Sequence, residues 1–131
     1  MSYVLSYIGQ ETLNGAAVFH VSGSQPLPAP SNLPSGISAQ LANVGQHLST
    51  MDVYLDPTTS VPIALAFNTH PDGNALIDIP VWIQFSRYQK TAGVQVPMRV
   101  QKFLNNGLVL DIQLTDATLN SGLSGSPFQL N

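Results

Sequence analysis

The sequence contains no cysteine, which removes disulfides, thiolate metal sites and cysteine nucleophiles together. Charge is also scarce: Asp, Glu, Lys and Arg make up 8% of the 131 residues, against roughly 25% in an ordinary soluble domain. The four basic residues, Arg87, Lys90, Arg99 and Lys102, all lie in one short stretch. That is far from the broad basic face that neutralising many phosphates requires, so nucleic acid is not an expected partner. No apolar run approaches the ~18 consecutive residues of a membrane-spanning helix. The opening Met-Ser-Tyr-Val-Leu-Ser-Tyr-Ile has no basic n-region and no small-residue cleavage site. It is expected to be a strand and not an export signal.

Catalytic signatures are missing in the same way. The chain has no Gly-x-Ser-x-Gly elbow, no Gly-rich phosphate loop and no ordered calcium loop around Asp52, Asp56 or Asp72-Gly73-Asn74. His20, His47 and His70 stand in three distant segments, without the close spacing of a metal motif. They are read as unrelated polar positions, so neither a metal nor a cofactor is expected. His20 shares a strand side with Val18, so it is expected to be partly buried and hydrogen-bonded. An enzyme in which His20, His70 and nearby acids meet as general acid or base is the last of three readings.

What the chain does carry is strand alternation punctuated by turns. Asn14-Gly15, Thr91-Ala92-Gly93 and Asn105-Asn106-Gly107 are hairpin signals, and Asp56-Pro57-Thr58-Thr59 is a turn that Asp56 is expected to cap. Between them run Tyr3 to Glu11, Ala16 to Ser22, Thr50 to Leu55, Val61 to Phe67, Ile79 to Tyr88, Val94 to Val100 and Leu108 to about Thr118. The Pro-rich segment 24–38 reads as a loop or flap. Residues 37–48 read as one short helix with Ile37, Leu41, Val44 and Leu48 on one face. The expectation is a single β domain over 1–131: a curved antiparallel meander of about seven strands with at most one short helix.

Period-two alternation gives that sheet one apolar face, including Ile63, Leu65, Phe67, Val81, Ile83, Phe85, Val96 and Met98. A single layer must cover such a face, and here the chain offers only the flap, the helix, a curl of the sheet or another molecule. These eight residues are therefore the expected ligand-binding set, lining a hollow for a lipid, a lipidated peptide or another apolar ligand. The alternative is a second copy of the chain, giving a homodimer with no small ligand.

Three stretches carry a resemblance: Gly9-Gln10-Glu11-Thr12-Leu13-Asn14-Gly15, Asp56-Pro57-Thr58-Thr59-Ser60-Val61-Pro62, and Tyr88 followed by Gly93-Val94-Gln95-Val96-Pro97. In order they resemble the C-terminal part of the bacterial envelope lipoprotein carriers LolA and LolB. That resemblance implies a half-barrel whose apolar concave face holds acyl chains, and a periplasmic or extracellular location. The N-terminal strands and covering helices of that family have no evident counterpart in the chain.

Overall fold

The computed structural model describes residues 3–26 and 31–119. Seven strands form one antiparallel sheet in chain order: β1 (Val4–Leu13), β2 (Ala16–Ser24), β3 (Met51–Leu55), β4 (Pro62–Thr69), β5 (Ile79–Thr91), β6 (Val94–Leu104) and β7 (Gly107–Gln113). One helix, α1 (Ser35–Ser49), connects β2 to β3. The sheet is open, and its outer strands are β1 and β7. The meander follows from the turns. Asn14 and Gly15, Ala92 and Gly93, and Asn105 and Asn106 all have positive φ, as a two-residue type I′ hairpin requires. Between β3 and β4, the Asp56 carboxylate accepts the N–H groups of Thr58 and Thr59, both at 2.8 Å. These two bonds hold its pKa below the ordinary carboxylate value.

The register places residues in rows that cross the whole sheet. Tyr7, Val21, Val53, Leu65, Ile83, Lys102 and Leu110 form one such row. On the opposite face runs Gly9, His20, Tyr54, Ala64, Gln84, Gln101 and Asp111. The alternation therefore separates an apolar face from a mixed polar and aromatic one.

The sheet curls toward the mixed face. Leu13 and Asn14, at the tip of the β1–β2 hairpin, line a pocket of about 300 Å³ together with Trp82, Gln84 and Phe103. Strands lie ~4.8 Å apart, so a first-hairpin tip meets fifth- and sixth-strand side chains only if the sheet bends over this face. Val18 and Ala64, both on the mixed face, are 1% and 0% exposed. The concave side is thus not the one anticipated from the apolar pattern.

Three further expectations change. Residues 114–118 lie beyond β7. The helix forms, but Ile37, Leu41, Val44 and Leu48 are exposed, while Ser38 and Gly45 are buried and Ala42 and Ser49 half-buried. These four small residues recur at helical spacing, so α1 approaches closely on its small side and leaves its apolar ridge outward. Ser49 secures the end of the helix, its Oγ accepting the Gln25 N–H at 2.8 Å. Apart from neighbouring strands, the main contact between elements is α1 with β2. The flap expected over 24–38 is in part β2 and α1, and 27–30 lie outside the described residues.

Because Val18 is the largest fully buried side chain among the described residues, Val18→Ala is expected to cost about 2 kcal/mol in urea unfolding. Leu110→Ala on the exposed edge strand should cost under about 0.5 kcal/mol. Equal losses would mean that the curl does not bury the mixed face.

Candidate functional site

The concave face is organised around His20. A bulge between Tyr7 and Gly9 shifts the β1–β2 register by one residue, and Gly9 has φ 149°. A one-residue shift moves every later side chain to the other face, which places Glu11 opposite Val18 on the concave side. On the other flank β3 puts Asp52 opposite Ser22. His20 lies between the two acids, with Nδ1 2.7 Å from Glu11 Oε1 and Nε2 2.8 Å from Asp52 Oδ1.

Carboxylates only accept hydrogen bonds, so both ring nitrogens are needed as donors. Burial lowers the pKa of His20, but the hydrogen bonds to Asp52 and Glu11, with their charges, outweigh it and raise it above 6.5. A doubly donating imidazolium has no lone pair and cannot act as a general base. Its ring stacks on Tyr54 at 4.6 Å and 22°, and Tyr54 meets Trp82 at 5.3 Å. Burial, Asp52 and Glu11, in that order, raise the Tyr54 pKa.

Small residues make room beside this stack. Ala64 and Ala66 follow Tyr54 and Asp52 across the register. The space above them belongs to a pocket of about 330 Å³. Its lining includes Asp52, Ala66, Trp82, Phe103 and, from the end of α1, His47. His47 and His70, read from the sequence as unrelated, are brought together here. His47 Nε2 lies 2.8 Å and His70 Nδ1 3.3 Å from Asp78 Oδ1. The return of the 70–78 loop to β5 makes this contact, which no local spacing encodes. His20 is thus bonded to Glu11 and Asp52, while His70 and His47 share Asp78, and the two clusters meet at the pocket that Asp52 and His47 both line.

The eight residues expected to bind ligand do share one face. Leu65 pairs with Ile83 and Phe67 with Val81, and Ile63, Phe85, Val96 and Met98 extend the same side. Val81 and Met98 are buried, while the other six are half-buried. By the register this is the outer face of the curl, but at its end Phe67 and Val81 also line the 330 Å³ pocket beside Asp52 and Ala66. Of the basic residues, Arg99 makes a bidentate pair with Asp111 at 3.0 and 2.8 Å. Sequence reasoning missed the site formed by Glu11, Asp52, Tyr54 and Trp82, whose one local signal was Gly9.

Neither a family model nor a curated relative matches the sequence. A solved structure does: a candidate outer membrane lipoprotein-sorting protein domain from Vibrio parahaemolyticus. The match has a TM-score of 0.63 at 15% identity and covers 96% of this chain. The likeness is one of fold. The chain spans about half of that structure's length, 46% of it. The lipoprotein-carrier resemblance read from the hairpin motifs therefore holds as a resemblance of architecture.

A folded pKa above the unfolded value means that the His20 contribution is fully present below about pH 6.5 and is lost as pH rises through the folded pKa. At pH 6 the wild type is expected to exceed His20→Gln by about 1–3 kcal/mol in urea unfolding. The gap should narrow steadily toward pH 9. A gap that stays constant or widens with pH would contradict a charged ring held between Glu11 and Asp52.

Proposed function

We propose that this chain is a hydrophobic-ligand binding module of the bacterial cell envelope. Its apolar sheet face would take a lipid, a lipidated peptide or another apolar chain. The observation that carries the reading is the sheet's single layer: the row Val21, Val53, Leu65 and Ile83 is apolar, and α1 does not lay its apolar ridge on it. Burial of apolar surface yields about 25 cal/mol per Å², so a ligand covering about 400 Å² of this face gains about 10 kcal/mol before the costs of ordering. The fold likeness to a lipoprotein-sorting domain supports the reading and is the basis for the envelope location.

A second reading has its own observation. The edge strands expose Val4, Leu5, Tyr7 and Ile8 on β1 and Leu108, Val109, Leu110 and Ile112 on β7. Unpaired apolar edges are templates for pairing with another chain, which supports self-association with no small ligand.

Titration with an apolar naphthalene-sulfonate dye separates the two. The first reading predicts saturable binding to a folded monomer, weakened at least tenfold by Leu65→Gln with Ile83→Gln but little changed by Gln84→Lys on the concave face. Absence of saturable binding, with sedimentation showing a dimer that Leu110→Lys on the β7 edge dissociates, would replace it by the second.

A further inference from the structure

The meeting of His47, His70 and Asp78 belongs to neither reading of the apolar face. Its donors come from three places: the last turn of α1, the residue after β4, and the residue before β5. One nitrogen of each ring and one carboxylate oxygen lie within 4.8 Å of one another. Around a tetrahedral zinc-sized ion with bonds of ~2.0–2.1 Å, donor atoms stand about 3.3 Å apart and two imidazole centroids about 5 Å apart. Here the two nitrogen–oxygen separations are 2.8 and 3.3 Å, and the ring centroids are 5.6 Å apart. Small side-chain rotations therefore bring the three donors to coordination distance.

His70 is the most enclosed of the three, 13% exposed. Its Nδ1, the atom that faces Asp78, also lies 3.0 Å from the Ile77 carbonyl oxygen. Both neighbours only accept, so without an ion Nδ1 carries a proton, and a cation coordinated there takes its place as the ring proton moves to Nε2. His47 and Asp78 are 45% and 41% exposed, which leaves a path of entry for an ion.

We infer that His47, His70 and Asp78 form a binding site for one divalent cation of the zinc class. Two imidazoles and one carboxylate make a borderline donor set that favours zinc-like ions over magnesium or calcium. Three protein donors leave a fourth position for water or an anionic group. Because His47 also lines the 330 Å³ pocket, the ion would sit at its rim. It would also tie the end of α1 to the loop between β4 and β5.

The test is competitive titration of chelator-stripped protein with zinc chloride against a chromophoric indicator, together with the visible absorption of the cobalt(II) form. The inference predicts one ion per chain and an absorption band of a low-coordinate nitrogen–oxygen site. His47→Gln and Asp78→Asn should each weaken binding at least tenfold, and zinc should raise the melting temperature of wild type but not of these variants. His20→Gln should bind as wild type does. Both altered side chains are substantially exposed, and far-ultraviolet dichroism checks that the variants fold. Absence of stoichiometric binding, full affinity in both variants, or an equal loss in His20→Gln would each overturn the site.

Discussion

Each face of a single-layer sheet needs a cover, and the described residues build one layer with one helix. That constraint shapes the rest of the molecule. Strand alternation gives one face a continuous apolar surface and the other a mixture of polar and aromatic groups. The sheet then curls over the mixed face, enclosing Val18 and Ala64 completely, while the more apolar face is left outside. The helix does not correct the imbalance, because it docks through Ser38, Ala42, Gly45 and Ser49 and turns Leu41 and Leu48 to solvent. Burial of apolar area is the main force in folding. That exposed apolar area is what supports the proposal of a molecule bound there.

The concave face is closed by different physics. His20 is held by one acid from each flanking strand, so hydrogen bonds between β1, β2 and β3 side chains replace the apolar packing expected of an interior. The positive ring between two carboxylates lowers the cost of enclosing charge, provided that every polar atom finds its partner. Tyr54 and Trp82 continue the stack over the small side chains of β4. This explains why the site is aromatic and polar where an apolar hollow was anticipated. It also explains why His20 is better suited to holding the curl together than to proton transfer.

Much of the fold was legible because its signals are local. Asn14-Gly15 and Asn105-Asn106 dictate two-residue turns, Asp56 caps the next, and the alternation in β4 to β6 assigns each side chain to a face. What was not legible depends on geometry between distant segments. The direction of curl is set by how the β1–β2 hairpin crosses β5 and β6, which no pattern within one strand encodes. The bulge at Gly9 reverses the facing of Glu11, so the acid that completes the His20 cluster could not be placed by counting. His47 and His70 meet only because a loop returns past the end of the helix. The apolar stripe of α1 read correctly as a stripe, but its contact is made by the small residues beside it.

The account rests on an apolar sheet face that a bound molecule covers. Native mass spectrometry of the gently purified protein, beside its denatured mass, tests this most directly. The account predicts extra mass in the range of a lipid or lipidated peptide, lost on denaturation, on a monomeric chain. A bare monomer that also fails to take up an added fatty acid would contradict it, because the face would then be stable uncovered.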